Sequence, residues 1–352
     1  MHPPLVVDRK NQKWLLLELV LTITTTRRTK QEMAKLGIIP VQRAGEYIRI
    51  LFISLFFSMD CSYVLQELKQ RPSLRRFAHV SEVPTPEQFY RFLSRFDEKS
   101  FMVLTSRLLN TFCTKRNPRR KAILLIDSTA IILDLNWFRQ RFTKQKLEGR
   151  EYAWGYSSTH GYYIGYKLTL VIDHHTLTPL AMMIHRGSPN DSTLFTEIMN
   201  ELSRRRIIRE GDTLVFDKGY YSYQHYADGI CKFKVVPLIF PRKNFKKSKL
   251  FSKFIIPLPA FSRSRIKQDI QVWKHLLDRL LTLFDRIDEY ATIRSLIEDV
   301  FKVAKNALSL KRLHRYTTRS VEKVVATTVL LLGTVISLGF NSKDLLQRLA
   351  EW

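Results

Sequence analysis

Cysteine is scarce in this chain: three in 352 residues, Cys61, Cys113 and Cys231, far apart and with no C-x-x-C spacing. That excludes a cysteine zinc site and a disulfide framework, and it fits a reducing compartment. Long apolar runs are lacking too. The longest, residues 324–340, holds three threonines and a serine, and at 17 residues it is short for a membrane span. A buried helix is expected there. The opening residues, MHPPLVVDRKNQKW, are polar and mixed in charge, unlike a secretory leader. A soluble protein of the cell interior is therefore expected, with no membrane partner. No internal repeat is found, and no helix-turn-helix is clear enough to name. His174 and His175 are adjacent without a third ligand nearby, so zinc is not expected.

Negative charge is also in short supply. Against 58 Lys and Arg stand 32 Asp and Glu, a formal net charge of +26. Self-repulsion on that scale opposes compaction unless a polyanion neutralises it, so nucleic acid is the first candidate partner, ahead of a membrane surface or a ribosome-like assembly.

What is present centres on residues 121–133, KAILLIDSTAIIL. The short apolar run Ile123, Leu124, Leu125, Ile126 reads as a strand buried on both faces, and Asp127 follows it. A carboxylate there either caps a turn or stands where a sheet edge does chemistry. The same arrangement recurs: Thr213, Leu214, Val215 and Phe216 run into Asp217, followed by Lys218, Gly219 and Tyr220. Two such strands could bring both carboxylates to one sheet edge, a metal site in outline.

The first 118 residues read as a mostly helical region, a small DNA-binding domain or a plain bundle. Thr85 and Pro86 give a capped helix start leading to Phe96, and Arg71, Arg75, Arg76, Arg91 and Arg95 could meet phosphates. A basic run at 115–121 separates this region from a second domain, 119–352. Beyond the Asp127 strand come a polar connection at 134–160, strands at 161–173 and 179–185 forming a hairpin, and a helix at 191–207. The Asp217 strand follows, then a helix at 223–230, a strand at 233–238, and a basic insertion over about 240–288. The last helices lie at 292–310 and 321–338. This order is that of a ribonuclease-H-like α/β fold, a mixed sheet flanked by helices, whose third acid sits on a late helix.

On that helix, at about 100° per residue, Tyr290 falls near −40°, Lys305 near 20° and Glu298 near 40° from Arg294, one polar stripe opposite an apolar face. The stripe is either a phosphate-facing acid site or a solvated face with an Arg294–Glu298 pair. Asp299, near about 140° on the same wheel, is the weaker acid. Asp134 and Asp173 are alternative ligands that read as surface partners of Lys or Arg, and Asp191 reads as a helix cap.

Asp127 in IDST, Asp217 in FDKGYYS and Glu298 in R-x3-E-x6-K resemble the DDE triad of insertion-sequence transposases, in the group with a Tyr-Arg-Glu-Lys signature. Gly165-Tyr-Lys-Leu, and Asn190-Asp191 after the hairpin, also resemble its catalytic domain, which often has an acid near the site at the place of Asp191. Tyr290 and Arg294 are separated by three residues where that group leaves two. The resemblance covers roughly residues 120–340. It implies an enzyme of the prokaryotic, nucleoid-associated cytoplasm that cuts element ends and joins them to target DNA. Its catalytic residues and metal ligands would be Asp127, Asp217 and Glu298, holding two Mg²⁺ or Mn²⁺ ions with Asp127 between them. Arg294 and Lys305, with Tyr290, would hold DNA phosphates. The basic stretch with Arg242, Lys243, Lys246, Lys247 and Lys249 would grip the duplex. The partners implied are double-stranded DNA, both inverted-repeat ends and target, and a second copy of the chain in the DNA complex. A lapsed DNA-binding relative and a structure-specific nuclease on the same fold are the rival classes.

Overall fold

The computed structural model describes residues 5–8, 10–38, 40–95, 98–112, 121–133, 153–157, 161–254, 263–311, 313 and 318–352. The expectations for 115–120 and for Asp134 lie outside these. The chain falls into two compact units, one of Met1–Lys115, Ile131–Tyr152 and Asp299–Trp352, the other of Arg116–Ala130 and Ala153–Glu298. The N-terminal helices therefore share a unit with the C-terminal ones, whereas the sequence reading broke the chain at 118 and kept the C-terminal helices with the sheet. The apolar helix at 318–337 packs against the N-terminal helices, a pairing distant in sequence.

In the helical unit, α1 (Gln12–Ile23), α2 (Arg27–Lys35), α3 (Val41–Phe56), α4 (Cys61–Gln70), α5 (Pro72–Phe77), α6 (Pro86–Arg95) and α7 (Glu98–Phe112) precede the sheet in sequence. The start of α6 is as expected. Thr85 Oγ1 accepts the Gln88 N–H at 3.2 Å while Gln88 Oε1 accepts the Thr85 N–H at 3.1 Å, a reciprocal capping box. Arg49 is buried in α3, donating to the carbonyls of Ala78 and His79 and to Thr24 Oγ1.

The sheet is built from β1 (Ile123–Ile132), β2 (Ala153–Ser157), β3 (Gly161–Asp173), β4 (Pro179–Arg186), β5 (Thr213–Phe216) and β6 (Val236–Ile239). Strand order is β2-β3-β1-β5-β6, with β4 also paired to β3. β3 and β4 are antiparallel. His174 N–H donates to Ile123 O, and Ser128 Oγ meets Thr169 Oγ1, so β1 and β3 also run in opposite directions. β5 and β6 continue parallel to β1. Three antiparallel strands followed by two parallel ones on the other side of β1 is the ribonuclease-H-like arrangement. Helices α8 (Asp191–Arg204) and α9 (Tyr223–Cys231) make the crossovers to β5 and β6. Then come the short α10 (Lys247–Phe251), α11 (Arg263–Phe284) and α12 (Ile287–Lys302).

Two readings need correction. The stretch 134–160 is not only a polar connection, because 153–157 is a strand on the first half of β3. The late helix is not regular through 310 either: α12 ends at Lys302 and a π-helical turn, Val303–Ala307, follows. The last helices are α13 (Thr318–Ser337) and α14 (Lys343–Ala350). Over Arg319–Ser337, α13 is long and apolar enough to cross a membrane, but most of it is buried, as the expected core helix would be.

One buried carboxylate fixes the start of the β1/β5 pair. Asp212 accepts the N–H of Ala122 at 2.9 Å and of Arg209 at 2.8 Å, while Arg279 of α11 donates to Gly211 O and Thr213 Oγ1. Asp212→Ala leaves two N–H groups without their acceptor, and its expected cost is about 1–3 kcal/mol, read as a lower urea midpoint at unchanged slope.

Candidate active site

Asp127 and Asp217 are brought together by strand register. β1 and β5 pair in parallel from Ile123 opposite Thr213 to Ile126 opposite Phe216, so the two aspartates come next on adjacent strands. Partners in register project to the same face of a sheet. Leu124, Leu125, Ile126, Leu214, Val215 and Phe216 are fully buried, and this apolar pair of strands holds the acids at its end. β5 stops at Phe216, whereas β1 runs on to Ile132, so Asp127 sits within its strand rather than at its end. Asp217 caps the turn Lys218–Tyr220, accepting the Gly219 N–H at 3.2 Å.

The third acid arrives on α12. Arg294 Nη1 lies 3.2 Å from Asp127 Oδ2 and 3.6 Å from Asp217 Oδ1, and Nη2 lies 3.0 Å from Glu298 Oε1. One guanidinium thus ties the three predicted carboxylates together, with the Phe240 ring beneath it at 6.0 Å. The Arg294–Glu298 pair is the i,i+4 contact of the bland reading, but it does not lie on a free solvated face. Arg294 keeps 23% of its side-chain surface exposed and Asp127 19%.

Around this cluster the hydroxyls are ordered. Ser128 Oγ is 2.7 Å from Tyr220 OH and 2.8 Å from Thr169 Oγ1, and the Ser128 N–H donates to Asp127 Oδ1 at 2.8 Å. Burial pushes the Tyr220 phenol well above its ordinary pKa, with the charge of Asp191 adding to it. The carboxyl of Asp127 is pushed up to about 7, first by burial and then by the nearby charge of Asp217, against the Ser128 N–H and Arg294, which pull it down.

Asp191 needs a correction. The cap of α8 is Asn190, whose side chain accepts the Ser192 N–H at 3.1 Å. Asp191 instead pairs with Lys167 of β3 at 2.7 Å, and its Oδ2 packs so closely on Gly219 that a Cβ there would come within 2.8 Å. Lys167 belongs to the Gly165-Tyr-Lys-Leu motif, to which the sequence alone gives no role. Its signal was a lone cation in the apolar strand GYYIGYKLTLVID, where a buried ammonium requires a carboxylate partner.

Other expected residues fall elsewhere. Asp173 accepts the N–H groups of His175 and Thr176 and so shapes the β3–β4 turn. Asp299 is buried beside Lys302 at 2.9 Å. No described hydrogen bond or ion pair joins Tyr290 to the acids. Lys305 lies in the π-helical turn, in the helical unit, where burial pushes its pKa down. The π turn departs from the 100° step on which the wheel drawn from Arg294 rests. In the basic stretch, Arg242, Lys243, Lys246, Lys247 and Lys249 are exposed. Their segment is fastened by Phe245, which stacks on Tyr223, and by the Tyr223 oxygen, which accepts the Lys246 N–H at 2.8 Å.

Among the described residues, no set of three Asp, Glu, His or Cys side chains stands ready to hold a metal ion. The acids are spread around Arg294, whose guanidinium stands in for the positive charge that three converging carboxylates need. The donor chemistry, hard carboxylate oxygens, suits Mg²⁺ or Mn²⁺, provided that Arg294 withdraws.

A ribonuclease-H-like sheet with paired aspartates on adjacent strands and a glutamate on a late helix is the scaffold of a polynucleotide-processing protein. The family model for the transposase DDE domain matches residues 118–332, well over half of the chain, and the chain belongs to that family. A solved structure of a piggyBac transposase synaptic complex with hairpin DNA is similar to it at 11% identity and a TM-score of 0.46, covering 98% of this chain and 80% of that one. No curated protein matches.

The raised pKa of Asp127 gives a pH test. The unfolded chain releases this proton near pH 4 and the folded one near 7, so across that window the folded state binds more protons and Asp127 lowers stability as pH rises. Asp127→Asn is therefore expected to raise the stability of metal-free protein at pH 7.5 by roughly 1–3 kcal/mol and to leave it nearly unchanged at pH 4. Urea unfolding with a chelator at both pH values measures this.

Proposed function

We propose that this chain is an active DNA transposase of the Tyr-Arg-Glu-Lys group, cutting the ends of a mobile element and joining them to target DNA. The observation that carries the reading is the convergence of Asp127, Asp217 and Glu298 on one cation, with the two aspartates set by strand register. Asp127, Asp217 and Glu298 would hold the Mg²⁺ or Mn²⁺ ions, which when bound activate water or a 3′-hydroxyl and stabilise charge on the phosphate under attack. The residues of the chain do the rest. Asp127 gives up its proton as positive charge arrives. Arg294, released from the carboxylates, turns its fork to a DNA phosphate, for which the guanidinium geometry is suited. Tyr290 and Lys305 are further phosphate partners. The exposed cations from Arg242 to Lys249 track the duplex, and the helical N-terminal region supplies a second DNA contact. The working complex is a homodimer on paired element ends, in the nucleoid of a prokaryotic cytoplasm.

A strand-transfer assay with labelled element ends separates the classes: joined product for a transposase, cut product alone for a nuclease, binding alone for a lapsed relative. Asp127→Asn, Asp217→Asn and Glu298→Gln are each expected to leave DNA binding near wild type and about 1% or less of the cutting rate, as loss of a metal ligand requires. A variant with substantial cutting in Mg²⁺ removes that residue from the site. Arg294→Gln distinguishes the two roles of the arginine. Mn²⁺ binding to DNA-free protein, followed by calorimetry, should tighten about tenfold, roughly 1.4 kcal/mol, because the competing cation is gone. End cutting should slow about tenfold or more, because the phosphate partner is gone.

A further inference from the structure

The hairpin of β2 and the start of β3 carries an aromatic face that the proposed chemistry does not use. In register, Trp154 lies opposite Ile164 and Tyr156 opposite Tyr162. These four therefore share one face, and Gly155 and Tyr163 share the other. Ile164 is buried, but Trp154 is 57% exposed, Tyr156 58% and Tyr162 80%. Three large rings at these exposures stand out among the described residues, whose other aromatics are mostly buried or half-buried. The Tyr156 and Tyr162 rings meet edge to face, 5.2 Å apart at 60°, which leaves their outer faces open. Arg186, paired in register with Tyr166 on β4, falls on the same face and is exposed.

The position of the hairpin is fixed relative to the acids of its own unit. Ser188 Oγ donates to Tyr156 O at 3.1 Å, and Gly187 has no room for a Cβ, which would meet Trp154 O at 2.6 Å. Lys167 then holds both Pro189 O, at 2.8 Å, and Asp191. The segment from Gly187 to Asp191 thus links the aromatic face to the carboxylate that packs against Gly219, two residues from Asp217.

We propose that this face is a stacking platform for unpaired DNA bases, with Trp154, Tyr156 and Tyr162 taking the bases and Arg186 a flanking phosphate. Exposed rings of this kind suit any base, because every base has a π face, and a neighbouring cation serves the backbone. A chain with net charge +26 selects a polyanionic occupant over an apolar protein surface. Strand separation beside the acid cluster is where such a platform has a use. The proposal rests on DNA being the substrate, but not on strand transfer.

The test is full-length protein with a single-stranded oligothymidylate and a duplex of equal length, at salt high enough to suppress phosphate contacts. Expected are quenching of the Trp154 emission by oligothymidylate, identified as the signal lost in Trp154→Phe, and little quenching by duplex. Tyr156→Ser with Tyr162→Ser should weaken single-strand binding about tenfold or more and change duplex binding less than about twofold. Equal weakening for both DNAs, no weakening, or a change of oligomeric state in place of a DNA effect would each overturn the platform. Because the quenching measurement leaves both tyrosines in place, it decides the question even where the double variant is unstable. Metal-dependent cutting of duplex ends by the unsubstituted protein reports separately on the transposase reading, so either can fail without the other.

Discussion

Three carboxylates at one edge of a sheet repel one another, and everything near them reflects how that repulsion is met. Two charges a few ångströms apart in a partly buried site interact by several kcal/mol, more than any single surface ion pair contributes. The fold answers in two ways. The buried strands β1 and β5 supply apolar contact that holds Asp127 and Asp217 in register regardless of their charges. Arg294 then supplies the compensating cation and reaches all three acids. The remaining strain is relieved by the proton that Asp127 retains up to about pH 7. Lys167 plays the same part for Asp191 one strand away.

How much of this could be read from the sequence depended on the distance over which a periodicity had to hold. Asp127 and Asp217 were legible because each ends a four-residue apolar run, and parallel pairing of two such runs needs only their register to match. Glu298 was legible because Arg294 lies one helical turn away, where the error in a 100° step is small. For Lys305, eleven residues from Arg294, the step does not hold, since a π turn at Val303–Ala307 intervenes. β2 escaped because AWGYS shows neither an apolar run nor a turn signal, and its strand state comes from pairing with residues 161–165 of β3. The pair of Lys167 and Asp191 escaped for a related reason. The two residues are 24 apart in the chain and meet only once β3 and α8 are placed.

The excess of positive charge is sorted by structure as much as by composition. Some cations are committed inside the sheet unit: Arg294 to the acids, Lys167 to Asp191, and Arg279 to Gly211 and Thr213. The lysines at 243–249 remain outward because aromatic contacts carry the burial for their segment. Phe245 packs with Tyr223, Tyr226 and Phe284 and so anchors the backbone, and of these lysines Lys247 also lies 3.6 Å from Asp285. A cation held this way keeps its charge free for a phosphate, whereas one that fixes the fold does not.

The hydroxyl network completes the logic of the acid cluster. Tyr220, Ser128 and Thr169 are linked within 2.8 Å, and the phenol is kept protonated by burial and by the charge of Asp191. None of these three groups can take a proton from Asp127 at neutral pH, because each already carries its own. The network orients Ser128, whose N–H holds one oxygen of Asp127, and leaves the other oxygen to Arg294. The proton on Asp127 leaves as the pH rises through about 7, or at lower pH when positive charge is added beside it. A cation placed among these carboxylates would compete with Arg294 and favour the ionised aspartate at once, because two apolar strands fix where the first two carboxylates stand.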